Sequence, residues 1–358
     1  MTKGFVLQSG WRKTMSNPFN ITFGELPKSV VPREKDFESV KDTFNDPSPE
    51  SKVCVISGPR GSGKTVLLTA LSESFEQDGY LVVDLNPFMD LHEQFAAKLY
   101  EKGKLKKLFL HPEFSFSFKG LTFSLKGEKE ISNVSSLIET MLEYLKKKEK
   151  RVLITIDDVS SSETVKAFAY TYQQLIRAKY QVFLLVSGLY ENVSELERNR
   201  SLTFFLRAPK LMLEPLSLFD IVHSYKSLLN LSEDEAIKYA RLTKGYAYGY
   251  QLVGSLVYKK GREADILEEY DRTLIQNSYS LTWEKLTAKE KEFLTALSET
   301  SSQKELCALL DMSNGNLQTY KKRLLDRGLI LSRERGEIEF ALPRFKEFVK
   351  LEKRLREE

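Results

Sequence analysis

Val53-Cys54-Val55-Ile56-Ser57-Gly58-Pro59-Arg60-Gly61-Ser62-Gly63-Lys64-Thr65-Val66 is the most informative stretch of this chain. A run of β-formers leads into a glycine turn, and Val66, Leu67, Leu68, Leu71 and Phe75 follow at helical spacing, so the order is strand, loop, helix. The loop satisfies G-x-x-x-x-G-K-[ST] at every fixed position, in the strand-to-helix context that the pattern requires. Glycines let successive backbone N–H groups curl round phosphates, while the helix opening near Lys64 points its positive end at the same anion. Lys64 is expected to reach the β- and γ-phosphates and the Thr65 hydroxyl to ligate Mg2+. The expected nucleotide contacts are Gly58, Pro59, Arg60, Gly61, Ser62, Gly63, Lys64, Thr65 and Val66, with ATP or ADP and Mg2+ as cofactors.

On either side of this unit the pattern remains α/β. Gly79 stops the helix, and Tyr80 to Leu85 is a second buried strand, completing a βαβ unit and implying a parallel sheet. Val152 to Ile156 is a third strand with Asp157 and Asp158 at its carboxyl end; Asp157 is placed to hold the Mg2+ and Asp158 to orient or deprotonate an attacking water. Val182 to Gly188 is a fourth, putting Ser187 where a polar sensor of the γ-phosphate belongs, and Lys210 to Leu213 a short fifth. Arg198, Arg200 and Arg207 lie between these last two strands, where one could supply transition-state charge to a neighbouring subunit or domain. Phe114 to Leu125 alternates apolar and polar about Lys119-Gly120, which predicts a hairpin packed on the body. The Lys146 to Arg151 run is a solvated helix end.

Beyond Pro215 the pattern is helical: Ser217 to Leu229, Ser232 to Thr243, Tyr248 to Lys260 and Glu263 to Asn277. From Thr287 three helices precede two short strands about Arg335-Gly336, the pattern of a winged helix, with Ser302 and Glu305 spaced as a capping box for the second helix. Ser313 to Arg335 carries six basic against two acidic side chains. Leu317, Tyr320 and Leu324 form an apolar stripe; Asn316, Gln318, Lys321, Lys322, Arg323, Arg333 and Arg335 are the candidate contacts to double-stranded DNA. A winged helix also serves as a protein-binding module, so a protein partner or a second copy of the chain stays open. The expected division is an N-terminal arm and lead-in helix (1–50), a P-loop core (51–215), a helical lid (216–280) and a winged helix (281–358).

Composition agrees with two or three soluble domains. The chain has 358 residues, 41% hydrophobic and 29% charged, and a net charge of +4 from 54 basic and 50 acidic side chains, too mild to demand a polyanionic partner. No run of about 18 apolar residues and no secretion signal is evident, so a cytoplasmic protein without membrane contact is expected. Cys54 and Cys307 read as buried thiols, and His92, His111 and His223 show no zinc-ligand spacing.

Over nearly its full length the chain resembles AAA+ ATPases of the origin-recognition and STAND-like branch, which join an ATPase core, a helical lid and a terminal winged helix. The resemblance rests on Asn17-Pro18-Phe19 with Phe23-Gly24 and Pro27, Pro32-Arg33-Glu34, the P-loop, Ile154 to Asp158, Ser187-Gly188-Leu189, Thr203 to Ala208, and Thr243 to Ala247 running into Tyr250 to Gly254. It implies that Pro32 and Arg33 border the adenine, that Tyr246 contacts the nucleotide from the lid, and that Arg207 is the arginine finger. It also implies an ATP-hydrolysing switch that couples nucleotide state to a DNA or protein partner; the alternative is a DNA-binding regulator holding ATP as a static ligand. Two departures stand out. Asp157-Asp158 replaces the usual Asp-Glu, and Gly245-Tyr246-Ala247 replaces Gly-x-Pro with no arginine at the usual second-sensor place.

Overall fold

A computed structural model describes residues 16–22, 26–103, 105, 123–124, 130–131, 134–198, 202–333 and 336–357. Helix α1 (Glu34–Asn45) precedes β1 (Val53–Ser57), α2 (Lys64–Gln77), β2 (Leu81–Leu85) and α3 (Leu91–Lys102). A short pair β3 (Phe123–Ser124) and β4 (Glu130–Ile131), α4 (Val134–Lys147), β5 (Val152–Ile156), α5 (Glu163–Arg177), β6 (Val182–Gly188), α6 (Tyr190–Arg198), α7 (Thr203–Arg207) and β7 (Lys210–Met212) complete the core.

The main sheet is five-stranded and parallel, in the order β2-β5-β6-β1-β7. Period two explains why its inner strands are apolar throughout. Val53 and Val55 of β1 face one side with Ile154 and Leu184, under α3, α4 and α5, while Cys54 and Ile56 face the other with Leu153 and Phe183, under α1 and α2. The wholly buried Leu71 of α2 anchors that second layer, and truncating it to Ala would cost about 2–5 kcal/mol. The register aligns Ile56 with Ser187 and Ser57 with Gly188, so β1 and β6 end level, with the carboxyl end of β5 beside them. The chain crosses over on opposite faces from these neighbouring strands, which opens a crevice at their carboxyl ends.

The lid is α8 (Leu218–Leu229), α9 (Glu233–Thr243), α10 (Ala247–Lys260) and α11 (Leu267–Leu274). From α11 the chain continues through a π-helical turn, Ile275–Tyr279, into α12 (Ser280–Glu284), so one helical rod runs across the expected boundary at residue 280. The winged helix follows: α13 (Ala288–Leu297), α14 (Gln303–Leu309), α15 (Asn314–Asp326), the antiparallel pair β8 (Ile330–Ser332) and β9 (Ile338–Phe340), and a terminal α16 (Phe345–Glu357) that sequence patterning did not suggest. Tyr225, Tyr250 and Tyr270 of the lid share one core with Phe293, Leu317 and Phe345 of the winged helix.

Local expectations fared unevenly. Capping boxes close α9 (Ser232 with Glu235) and α13 (Thr287 with Glu290). Ser302, by contrast, makes no side-chain cap: it bridges to Glu337 of the wing, and Glu305 accepts from the Thr300 hydroxyl instead. Of the aromatic hairpin, 114–122 and 125 lie outside the described residues; the described part pairs Phe123 with Ile131 and Ser124 with Glu130. Phe23 and Gly24 also lie outside them. Among the described residues no helix is long and apolar enough to cross a membrane.

Candidate functional site

The crevice receives the loop after β1. Gly61 and Gly63 sit at φ of +75° and +94°, conformations that L side chains rarely adopt, and a Cβ on Gly61 would also run into the Tyr246 hydroxyl. Lys64 Nζ folds back onto the loop, donating to Gly58 O (3.1 Å) and Pro59 O (2.9 Å). Its burial lowers the ammonium pKa to about 8, against the opposing pull of Asp157 and then Asp158.

Asp157 is the hub of the site. Thr65 Oγ1 donates to its Oδ2 at 2.6 Å, while Ser187 Oγ and, at 3.0 Å, the Asp158 N–H donate to its Oδ1. Thr65 comes from α2, Ser187 from β6 and Asp157 from the end of β5; the convergence follows from the neighbouring positions of β5, β6 and β1 in the sheet. Asp158 is exposed, in left-handed backbone at φ +54°, and is not among the residues lining the cleft.

That cleft measures about 1060 Å³ and runs between the loop, the N-terminal arm and the lid. Pro32 and Arg33 line it; Arg33 Nη2 donates to Ser62 O at 3.1 Å and its guanidinium faces Asp36 at 3.5 Å. On the lid side Tyr246 is buried, its hydroxyl donating to Arg60 O at 2.7 Å, and the Tyr248 N–H donates to Gly61 O at 2.9 Å. The amino end of α10 therefore rests directly on the glycine loop. Gln251 pins the arm to the lid, accepting from Asn20 N–H at 3.0 Å and donating to Ser29 O at 2.6 Å.

The expected residues divide clearly. Gly61 to Val66, Arg60, Asp157, Pro32, Arg33 and Tyr246 surround the cleft, and Ser187 stands behind Asp157. Gly58 and Pro59 shape the loop through their carbonyls on Lys64. Arg207 and Arg198 are exposed and outside the cleft lining, and Arg200 lies outside the described residues. Sequence reasoning missed Gln276, Asn277 and Ser278, which line the cleft from the π-turn and read in sequence only as the end of a helix.

On the winged helix, Asn316, Gln318, Lys322 and Arg323 are exposed along α15. Lys321 corrects the expectation: it is 8% exposed, on the side of Leu317 and Leu324, and donates to Gln303 Oε1 at 3.1 Å. Arg333 is exposed and paired with Glu339 at 3.1 Å, and Arg335 lies outside the described residues.

Residues 31–206 match the family described as an ATPase domain predominantly from Archaea, and residues 276–349 match a domain family of unknown function. No curated protein matches the chain in sequence. Among solved structures, the Aeropyrum pernix ORC2 protein in its ADPNP-ADP complexes superposes with a TM-score of 0.56 at 13% identity, over 94% of this chain and 97% of that one. Cdc6p from Pyrobaculum aerophilum gives 0.50 at 14% identity, over 94% and 96%. The loop, the five-stranded sheet, the helical domain and the C-terminal helices with their small antiparallel pair agree with these matches: the chain shares the fold of these two proteins, and residues 31–206 carry the match to the ATPase-domain family.

Proposed function

We propose that the protein binds Mg-ATP in this cleft, hydrolyses it slowly, and uses lid closure to pass nucleotide state to the winged helix. The observation that carries the reading is the convergence of Thr65 and Ser187 on Asp157 beside Lys64, at the mouth of a loop whose glycines hold left-handed backbone. Lys64 leaves the carbonyls of Gly58 and Pro59 to meet the phosphates, and a bound polyanion returns it to its fully charged state. Thr65 Oγ1 and the Asp157 carboxylate are hard oxygen donors of the kind Mg2+ takes. Among the described residues no larger acidic or His/Cys cluster forms, which suits an ion that completes its shell with phosphate and water. When bound, that ion neutralises charge developing on the phosphates.

Slow turnover follows from two features. Asp158 stands outside the cleft on left-handed backbone, and the arginines that line the cleft are Arg60 of the loop itself and Arg33, which is engaged by Ser62 O and Asp36. Arg207 is exposed on α7 and outside the lining of this cleft, so in this reading it would serve the cleft of a second copy of the chain. Coupling runs through contacts between core, lid and winged helix: Tyr190 Oη donates to Asp326 Oδ2 at 2.8 Å, and Lys244 Nζ donates to Phe340 O at 3.1 Å. The exposed Asn316, Gln318, Lys322 and Arg323 give the winged helix groups that suit duplex DNA.

Phosphate release at increasing protein concentration, with and without duplex DNA, tests the reading. It predicts a slow rate that Asp157→Asn removes and that rises with concentration as Arg207 is delivered in trans. Mg-ATP bound without any phosphate release would establish the static-ligand alternative, which the exposed Asp158 favours over fast hydrolysis.

A further inference from the structure

The helical rod from Leu267 to Glu284 leaves α-geometry once, over Ile275–Tyr279. A π-turn is rare inside an α-helix and is frequently found at functional sites. Here three consecutive polar residues of the turn, Gln276, Asn277 and Ser278, line the cleft together with the glycine loop. Ser278 is buried and hydrogen-bonded to the Tyr246 hydroxyl at 2.9 Å; since that hydroxyl gives its single proton to Arg60 O, Ser278 is the donor. Asn277 Nδ2 donates to Tyr248 Oη at 2.7 Å. The amide thereby occupies an acceptor position of Tyr248, whose own proton remains to be given, and Tyr248 is the lid residue whose N–H already holds Gly61 O. Burial raises the Tyr248 pKa, so the hydroxyl keeps that proton at any working pH.

We propose that the π-turn, together with Tyr248, is the element by which the lid contacts bound nucleotide: the Tyr248 hydroxyl and the Asn277 and Gln276 carboxamides donate to the phosphate oxygens of a nucleoside triphosphate held on the loop. The inference rests on the nucleotide reading of the cleft and adds a set of neutral donors where the lid brings no arginine. Neutral donors grip a phosphate less strongly than a guanidinium and are less weakened by salt. The turn is also tied onward to the winged helix. Tyr279 Oη donates to Pro343 O, and its ring packs on Phe345 and Phe348 at centroid distances of 4.9 and 5.8 Å.

The test is calorimetric titration of Mg-ATP into the full chain, comparing Tyr248→Phe, Asn277→Ala and Lys64→Ala with the parent, alongside melting temperatures without nucleotide. Hydrogen bonds to charged groups predict that Tyr248→Phe and Asn277→Ala each weaken ATP binding about tenfold or more, with the melting temperature of the free protein unchanged. Tyr248→Phe removes a single oxygen, so it decides the matter if Asn277→Ala lowers the melting temperature. ATP affinity within twofold of the parent in Tyr248→Phe, while Lys64→Ala has lost binding, overturns the role of the turn and leaves the nucleotide reading standing. Parent-like binding by Lys64→Ala overturns both.

Discussion

Replacing Tyr246 by Phe keeps the buried ring and deletes one oxygen at the seam between lid and loop. That oxygen donates to Arg60 O at 2.7 Å and accepts from Ser278 Oγ at 2.9 Å. Arg60 lies at the edge of the cleft, where water can take over its carbonyl; Ser278 is 2% exposed and its hydroxyl loses its side-chain partner. An unsatisfied buried hydroxyl costs about 1–3 kcal/mol, so most of the loss should come from Ser278. Urea unfolding of the free protein should show a lower midpoint at unchanged slope. The double variant Tyr246→Phe with Ser278→Ala should recover part of the deficit, because removing both partners leaves nothing stranded. A loss below about 0.5 kcal/mol, or strictly additive effects, would refute the claim that this hydroxyl fastens the lid to the loop.

Three further outcomes follow. Lys64 has a folded-state pKa lowered to about 8 from 10.5, so the unfolded chain binds more protons between those values, and this group's contribution makes the free protein more stable as pH rises through that window. Bound phosphates reverse the shift, so nucleotide binding near pH 8 to 9 should take up a proton, visible as buffer-dependent heat in calorimetry and absent in Lys64→Arg. Asp158→Glu lengthens the exposed carboxylate by one methylene and should raise the rate of phosphate release severalfold without changing ATP affinity; an unchanged rate would remove Asp158 from the chemistry. Lys322→Glu, on the open face of α15, should leave stability alone and weaken duplex DNA binding, whereas Lys321→Glu should destabilise the winged helix by about 1–3 kcal/mol through its buried contact with Gln303.

These residues also show what could be read in advance. The glycine loop was legible because its geometry is local: positive φ at Gly61 and Gly63 and the lysine between strand and helix are encoded in eight consecutive positions. The apolar strands were legible for the same reason, but their order was not, and only the order explains how Ser187 and Thr65 come to share the Asp157 carboxylate. Lys321 was misplaced because three cations in a row look like one patch; helical period sets the first beside Leu317 and Leu324, and its partner Gln303 comes from another helix. Ser302 was drawn from its cap by a bridge to Glu337, more than thirty positions away, which no local pattern carries. Helix α16 was hidden by its charge-rich sequence, since among its described side chains Phe345, Phe348 and Val349 are the buried ones. The π-turn was the least legible, because nothing in its residues marks them off from the helical turns on either side.

The central claim is that the loop around Lys64 binds a nucleotide, and the most direct measurement is the melting temperature of the parent and of Lys64→Ala with and without Mg-ATP. At 100 times its Kd the nucleotide stabilises the parent by about 2.7 kcal/mol, giving a clear upward shift that the variant lacks. An equal shift in both proteins, or none in the parent, would contradict the account.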